Sequence, residues 1–399
     1  MRILLVSGIG RLGGAERSLL DWSGAAQGVR FHAAVPPGDL AEAFVRRSVP
    51  VDSLPTLRLH RFRGNPFRLA ADLSRLARAI AVLRRALRRA PADRIVANSL
   101  PAALAAVLAS AGKPPVVWHV RDLRFPAGAA RFAARRCTHL VAISRAVDAR
   151  LREALPVGWH SRISCIPNGI DFGDLDSRRT DRATARSALG LPADARIVGM
   201  LAQSVPWKRH DLFLAMALRL AGRHPGLRFA IAGAGTEALS VPGALRPRLA
   251  TLGDVDGIAF LQAVDILVHP AEDEPFGRCL CEAIALGTPV VAVDSAGPSE
   301  IVASAGAGIL VPPSDAVPES LASAVDRLLE DAPSHTEAIA EAQKRVRTIF
   351  DARRVATSML ALLRGDTVAG ESATAPQNPP HPSGKPQQGI FPWPDPPSP

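Results

Sequence analysis

The sequence predicts an α/β protein with two domains, each built on a parallel sheet. Short apolar runs, for example at residues 2–6, 94–97, 227–232 and 266–268, are each followed by a loop and then by a helix-like stretch. This alternation is typical of parallel strands covered by helices. The series runs once before and once after a charged, helix-prone segment at 173–193. A chain of 399 residues is long enough for two cores.

Composition and cysteine usage indicate a cytoplasmic protein. Apolar residues make up 47% of the chain, and residues 1–8 lack the apolar core of a signal peptide. The longest mildly apolar run, at 100–111, is too short to cross a bilayer. The four cysteines lack the spacing of a zinc site, so free thiols are expected at Cys137, Cys165, Cys279 and Cys281.

Positive charge is concentrated in residues 58–94, which hold eleven arginines and two aspartates. Aromatic residues do not alternate with these arginines, so no nucleic-acid partner is predicted. Apolar residues recur there every three or four positions, which predicts an amphipathic helix. We interpret it as an outer helix of the first domain; the alternative is a peripheral contact with an anionic membrane, at the inner face. The apolar positions are Leu69, Leu73, Leu76, Ile80, Leu83 and Leu87.

A glycine-rich loop follows the first strand. Gly8-Ile-Gly-Arg-Leu-Gly13 matches the dinucleotide fingerprint, which also needs an acidic residue at the end of the second strand. Here that strand, at 31–35, ends in two prolines, so no nicotinamide or flavin cofactor is expected. Gly13 and Gly14 are instead interpreted as a loop whose backbone approaches a ligand closely.

The most informative stretch is 267–291, which reads as a strand, a polar loop and a helix over 276–286. Glu274 precedes that helix, and Glu282 lies within it on the same face as Arg278. The first backbone N–H groups of a helix have no intrahelical partner, so those of Phe276, Gly277 and Arg278 can bind an anion. A phosphate ester whose sugar hydroxyls need carboxylate acceptors fits this arrangement.

Glu-Pro-Phe-Gly-x4-Glu-Ala, with the neighbouring His-Pro and Gly-Thr-Pro-Val-Val, resembles the donor-site signature of glycosyltransferase family 4, the group 1 glycosyl transferases. Gly-Gly-Ala-Glu-Arg at 13–17, Trp-His-Val at 118–120 and Ile-Pro-Asn-Gly-Ile-Asp at 166–171 resemble the family's first domain. The resemblance covers residues 2–362. It implies the GT-B fold, two Rossmann-like domains whose parallel sheets face one another across a cleft.

The resemblance also implies the chemistry, which is retaining transfer of a sugar from a nucleotide-sugar donor to a hydroxyl, without metal or cofactor. The family usually has an arginine five residues before the lysine that binds the diphosphate. In this chain that lysine is Lys208, and Gln203 stands at the position of the arginine. The acidic pair Asp254-x-Asp256 belongs to the loop near the nucleotide base and is not expected to hold a metal. The implied donor contacts are Glu274 to the sugar, Glu282 to the ribose, Lys208 to the diphosphate, Gly13 and Gly14 over the phosphates, and His119 near the sugar.

The implied domain plan has five parts. Residues 1–172 form the acceptor-side domain, 173–193 the connection, 194–335 the nucleotide-sugar domain and 336–364 a helix that returns to the first domain. Residues 365–399 are a proline-rich tail, expected to be disordered.

The expected acceptor is a glycan, a lipid-linked or a small-molecule hydroxyl, in glycan, glycolipid or exopolysaccharide synthesis. Two alternatives stay open. One is an impaired GT-B protein acting as a partner or scaffold, as suggested by Gln203, and the other is a nucleotide-sugar epimerase.

Overall fold

The first sheet has β1 (Arg2–Val6), the apolar run near the start of the chain, as one of its inner strands. The computed structural model describes residues 1–57, 66–330 and 334–366. In this part of the chain the sheet has seven parallel strands, in the order β3-β2-β1-β4-β5-β6-β7. The other strands are β2 (Arg30–Val35), β3 (Val51–Ser53), β4 (Arg94–Ala97), β5 (Val116–Val120), β6 (His139–Ala142) and β7 (Ile163–Cys165).

Helices cover both faces of this sheet, because its central strands are apolar on both sides. Leu4 and Val6 of β1 face one core, and Ile3 and Leu5 face the other. The covering helices are α1 (Gly14–Ala25), α2 (Asp39–Arg46), α3 (Pro66–Arg89), α4 (Leu100–Ser110), α5 (Ala127–Arg136) and α6 (Arg145–Ala154).

The second sheet has six parallel strands among the described residues, in the order β10-β9-β8-β11-β12-β13. They are β8 (Ile197–Leu201), β9 (Arg228–Ala232), β10 (Leu249–Thr251), β11 (Ile266–His269), β12 (Val290–Val293) and β13 (Ile309–Val311). The segment before this sheet forms α7 (Phe172–Ser177) and α8 (Arg182–Ala188), and Arg186 ties α8 to Asp265 at 2.7 Å. The later helices are α9 (His210–Arg223), α10 (Gly257–Ala263), α11 (Arg278–Leu286), α12 (Ala296–Ala305), α13 (Val317–Glu330), α14 (Ser334–Ile349) and α15 (Ala352–Arg364).

The predicted fold class, two α/β domains with parallel sheets, is confirmed. Each sheet reverses its winding once, between β1 and β4 in the first domain and between β8 and β11 in the second. Open parallel sheets bind ligands beyond the carboxyl ends of the strands at such a reversal. The loops after β1, β8 and β11 therefore mark the candidate site.

The prediction of a single helix over 336–364 is wrong. The chain forms α14, which packs on α11 and α12, and then α15, which packs on α1 of the first domain. The break lies at Phe350 and Asp351, because Phe350 is buried against Phe276 and the Asp351 carboxylate caps α15. Only α15 returns to the first domain, where Arg94 donates a hydrogen bond to the Leu363 carbonyl at 2.8 Å.

The chain crosses between the domains twice at one place. Ile170, just before α7, donates its N–H to the Phe350 carbonyl at 2.8 Å, and its carbonyl accepts the N–H of Ala352 at 3.0 Å. Within the described residues, no helix combines the length and apolarity needed to cross a membrane. The predictions for the proline-rich tail from residue 367 onward, and for the arginines at 58–63, lie outside the described residues.

Candidate active site

Helix α11 starts two residues later than predicted, at Arg278 instead of Phe276. Gly277 precedes the helix in the left-handed region, with φ of 94°, a conformation that favours glycine. Phe276 leaves the helix path because its ring packs edge-to-face on Phe350, with centroids 5.6 Å apart. No side chain caps α11. The unpaired N–H groups of the first turn therefore open toward the cleft, as an anion site requires.

Lys208 and Glu274 form a largely, but not fully, buried ion pair across the reversal point of the second sheet. Lys208 ends a turn after β8, and Glu274 lies in the loop after β11. Burial alone would raise the pKa of Glu274. The Lys208 ammonium and His269 outweigh burial and hold the pKa at about 2. Burial lowers the pKa of Lys208, but Glu274 and Cys279 raise it above its ordinary value. The two groups therefore stay charged at neutral pH and hold one another in place.

Glu282 is paired with Arg278, as its position on the same helix face predicts. Arg278 contacts Glu282 at 2.6 Å and also contacts Asp21 of α1 at 2.6 Å. Its guanidinium donates a third bond to the Gly169 carbonyl at 3.3 Å. Burial lowers the pKa of Arg278, but Glu282 and Asp21 raise it more. Arg278 thus connects the second domain to two elements of the first.

The starts of α1 and α11 meet at this connection. Helix α1 begins at Gly14, and the residue before it, Gly13, has no side chain with which to cap it. A Cβ added to Gly14 would lie 4.0 Å from the Cβ of Arg278. Two helix starts, one from each domain, therefore face the same small volume. The start of α11 presents unpaired N–H groups, and both helices direct the positive ends of their dipoles here, which favours anions. At the start of α1 the Gly13 N–H already donates to the Arg11 carbonyl, and the buried Glu16 carboxylate lies close by.

His119 lies at the end of β5, buried in a polar network of the first domain. Its Nδ1 is 3.3 Å from a nitrogen of Arg121, which is also bonded to Asn98 and to Asn168. Burial and the Arg121 charge lower the pKa of His119 well below its ordinary value, so the ring is neutral. Its Nε2 has no hydrogen-bond partner among the described residues.

Gln203 lies beyond the end of β8 with an exposed side chain. Two arginines near the site already have carboxylate partners. Arg209 pairs with Asp211 and Glu272, and Arg278 pairs as described above. Lys208, and neither of these arginines, is the cation that contacts Glu274.

Sequence reasoning missed two residues that shape the site, Asp21 and Glu300, and it assigned no role to His269 of the His-Pro pair. Asp21 and His269 are buried polar residues inside apolar stretches, which is a signal a sequence can carry. Glu300 of α12 accepts the backbone N–H groups of Arg145 and Ala146, at 2.9 and 2.8 Å, and so holds the start of α6 from the other domain. No local pattern predicts that contact.

Further ion pairs close the cleft at its edges. Arg11 of the glycine-rich loop contacts Asp254 at 2.6 Å, and Arg124 contacts Asp273. A separate cavity of about 700 Å³ lies beside Arg84, Arg88 and Lys113. It opens at the amino ends of β4 and β5, the wrong end of a parallel sheet for a ligand site, so we do not assign the chemistry there.

Two family models match consecutive parts of the chain. The model described as Glycosyltransferase Family 4 matches residues 12–173, and the model described as Glycosyl transferases group 1 matches residues 181–345. Together they cover most of the chain and contain the site residues named above.

Curated relatives include two D-inositol 3-phosphate glycosyltransferases. The one from Mycobacteroides abscessus is 34% identical over 38% of this chain and 36% of the relative, and the one from Nocardia farcinica is 32% identical over 54% and 49%. The matched region thus spans about a third to a half of these relatives.

Solved structures share the fold over most of the chain. Anabaena HepE, solved with UDP-glucose, has a TM-score of 0.75 and 23% identity, and covers 92% of this chain and 100% of its own. WaaG, a glycosyltransferase involved in lipopolysaccharide biosynthesis, has a TM-score of 0.64 and 17% identity, with coverage of 92% and 100%. The architecture is therefore GT-B. The family models and the fold lead to one conclusion: the chain belongs to the group 1 glycosyltransferases of family 4.

Proposed function

We propose that the protein is a retaining glycosyltransferase, a hexosyltransferase that moves a sugar from a nucleotide-diphosphate-sugar to a hydroxyl acceptor. One observation carries the proposal: the uncapped starts of α1 and α11 meet across the cleft, beside the Lys208–Glu274 pair. A diphosphate matches this positive volume, and carboxylates next to it match sugar hydroxyls.

The electrostatics of the site suit departure of a nucleotide. When the bond between sugar and phosphate breaks, negative charge grows on the diphosphate. Lys208, the N–H groups at the start of α11 and that of Gly14 meet that charge as fixed donors, and Gly13, whose own N–H donates to the Arg11 carbonyl, lets the donor approach closely. In this proposal no metal and no cofactor takes part. Asp254 and Asp256, the acidic pair of the base-side loop, are engaged by Arg11 and Arg178.

The two glutamates take different parts of the donor. Glu274, kept ionised by its neighbours, accepts hydrogen bonds from the sugar, and Glu282 accepts the ribose hydroxyls. Each must share or exchange its present partner when the donor enters, because Lys208 and Arg278 hold them in the structure described here. His119 offers a neutral Nε2 near the sugar, and Gln203 offers a neutral amide where a second cation would stand.

The relatives suggest which substrates to try first. HepE was solved with UDP-glucose, and the curated relatives are named for D-inositol 3-phosphate. UDP-glucose is therefore the first donor to test, with D-inositol 3-phosphate as a small-molecule acceptor. Glycan and lipid-linked hydroxyls form the next set.

Calorimetry tests the donor site directly. UDP, GDP, ADP and dTDP are titrated into the native protein and into Glu282→Ala, with a chelator present throughout. We expect one nucleotide to bind the native protein, and the variant to bind it at least about tenfold more weakly, since a charge-assisted bond is lost. The absence of binding to all four would overturn the proposal.

That negative outcome would favour the second candidate, a GT-B protein that acts as a partner or scaffold. The observation behind it is the exposed Gln203 together with the prior engagement of Arg209 and Arg278 by carboxylates. Gln203→Arg then becomes the informative variant. Gain of nucleotide binding in that variant would identify the missing cation as the cause.

We also propose a peripheral contact with an anionic membrane face through the first half of α3. The second half of the helix buries Ala79, Leu83 and Ala86, as an outer helix should. Its first half instead exposes three large apolar side chains, with Phe67 at 84%, Leu69 at 45% and Leu73 at 56%. Exposed apolar groups beside arginines are typical of helices that lie in a membrane surface.

Vesicle flotation tests whether the first half of α3 binds a membrane surface or is only a solvated helix face. Native protein is expected to float with vesicles of phosphatidylglycerol and to stay behind with phosphatidylcholine. Leu69→Ser/Leu73→Ser should lose flotation while keeping nucleotide binding. Equal flotation of native protein and variant would remove the contact from the proposal.

A further inference from the structure

Cys279 lies in the first turn of α11 with its thiol against a buried histidine. Its Sγ is 3.6 Å from Nδ1 of His269, the last residue of β11. His269 is 1% exposed. Its other ring nitrogen, Nε2, is 3.6 Å from a carboxylate oxygen of Glu274 and has no hydrogen-bond partner among the described residues.

This arrangement matches the general pattern of an activated nucleophile. The pattern consists of a nucleophile within hydrogen-bond reach of a base, and of a third group that orients the base. Here Glu274 faces Nε2, which places the ring proton on that side and turns Nδ1 toward the thiol. The start of α11 and the nearby Lys208 place positive charge on the same side of the sulfur.

The other cysteines have the opposite environment. Burial raises the pKa of Cys137 to about 12 and raises that of Cys165 and of Cys281 as well. Cys279 and Cys165 are both partly exposed, and of these two Cys279 is the one at the site. The chain therefore contains its own controls for thiol reactivity.

We propose that Cys279 is a nucleophilic thiol activated by His269, and that covalent modification of this thiol blocks the donor site. The proton of the thiol passes to Nδ1 of His269, and the sulfur then attacks the electrophile. With iodoacetamide, the new bond joins Sγ to the methylene carbon, the carbon–iodine bond breaks, and iodide leaves. The Glu274 carboxylate, 3.6 Å from Nε2, stabilises the positive charge that the ring then carries.

The position of the thiol gives modification its consequence. Cys279 directly follows Arg278, so an adduct on its sulfur would occupy space at the α11 start, beside Glu274 and Lys208. This half of the inference rests on the proposed function, because it assumes that a nucleotide occupies that space.

Labelling of the folded native protein tests the thiol itself. Iodoacetamide is applied at pH 7.5 for increasing times, and each cysteine peptide is quantified by mass spectrometry. We expect Cys279 to react at least about tenfold faster than Cys137, Cys165 and Cys281. In His269→Asn the rate at Cys279 should fall about tenfold, with the other three unchanged, whereas Cys281→Ser should leave it as it was. Equal rates at all four cysteines, or no effect of His269→Asn, would overturn the assignment.

A second titration tests the block. Native protein capped with iodoacetamide should bind UDP at least about tenfold more weakly than before capping, as a lost anion contact implies. Cys279→Ala, given the same treatment, should bind UDP as it did before treatment. Unchanged UDP affinity of the capped native protein would contradict the block. If the uncapped protein binds no nucleotide, the proposed function fails, while the labelling rates still decide the reactivity of Cys279.

Discussion

Glu274 and Glu282 differ in how their charges are neutralised. Glu274 is balanced within its own domain, by Lys208. Glu282 is balanced by Arg278, which is in turn held by Asp21 of the first domain. A ligand that reaches Glu282 therefore changes a contact between domains, whereas one that reaches Glu274 changes only a local pair.

Kinetics and calorimetry on matched variants separate these two roles. Glu274→Ala is expected to lower the turnover number about 100-fold or more, because it removes a contact made at the reacting sugar, with a smaller loss of UDP affinity. Glu282→Ala should mainly weaken UDP binding. Equal losses of UDP affinity in the two variants would show that the roles are assigned wrongly.

The pH dependence of stability gives a second prediction for Glu274. Lys208 and His269 outweigh burial and hold its pKa at about 2, below the ordinary value of 4.5. The folded state then binds fewer protons than the unfolded state between these values, so Glu274 adds stability that is complete above pH 4.5 and is lost as pH falls toward 2. Urea unfolding of native protein and Glu274→Gln should show a difference that shrinks from pH 5 to pH 3.

Glu300 provides a control of opposite sign. Burial raises its pKa above 4.5, so its ionised form is disfavoured in the folded protein. Its contribution should therefore become more favourable as pH falls from 7 through the raised pKa. In the same experiment native protein should gain stability relative to Glu300→Gln over this range. Parallel curves for both glutamates would contradict the assigned shifts.

Local signals were sufficient to place Arg278 beside Glu282. A strand, a loop with Glu274 and a helix with Glu282 lie within one short stretch, so spacing alone placed Arg278 beside Glu282. Asp21 belongs to a helix at the other end of the chain, and its contact with Arg278 exists only after both domains have folded and met. Pairings of that kind have no local signature.

At the scale of single elements, the loop that carries Glu274 is fixed by α12. Gly297 donates its N–H to the Glu274 carbonyl at 3.0 Å. A Cβ at Gly297 would lie 2.3 Å from the Phe276 carbonyl oxygen and 2.4 Å from its Cα. Helix and loop can approach this closely only because position 297 has no side chain.

Gly297→Ala should therefore separate the loop from α12. We expect a loss of about 1–3 kcal/mol in the free energy of unfolding, from overpacking, together with weaker UDP binding. Gly222→Ala is the matched control in α9, where an added Cβ meets nothing within 4 Å. That change should stabilise the protein by up to about 1 kcal/mol. Urea unfolding checks both, and a neutral Gly297→Ala would refute the close contact.

Strand positions were predictable because parallel strands buried on both faces are continuous apolar runs. The ends of the helices were harder to predict than the positions of the strands. Helix α11 starts at Arg278 instead of Phe276 because Phe276 packs on Phe350. The same contact interrupts the helix predicted over 336–364, which breaks at Phe350 and Asp351. One aromatic pair, formed between distant segments, thus accounts for both errors.

At the scale of the whole molecule, Glu300 joins the domains by capping a helix across the cleft. The carboxylate accepts both N–H groups at the start of α6, a role that residues usually perform for their own helix. Loss of the contact should therefore change how the domains sit together as well as the stability of α6.

Small-angle scattering tests this arrangement. Glu300→Ala should cost about 1–2 kcal/mol and increase the radius of gyration, because two N–H groups lose their partner in the other domain. Asp181→Ala, which removes a cap that α8 makes for itself, should destabilise without changing the radius. An unchanged radius in Glu300→Ala would mean that the other interdomain contacts suffice to hold the closed arrangement.

The late return of the chain also affects its synthesis. The seven strands of the first domain leave the ribosome before the second domain, yet α15, which packs Val355, Met359 and Leu363 onto the first core, is made after all of them. Domains generally fold as units during synthesis. The second domain can therefore complete its core first. Until α15 is made, part of one apolar face of the first-domain sheet stays uncovered. The domain that is begun first is finished last, and the nascent chain is most exposed to aggregation in that interval.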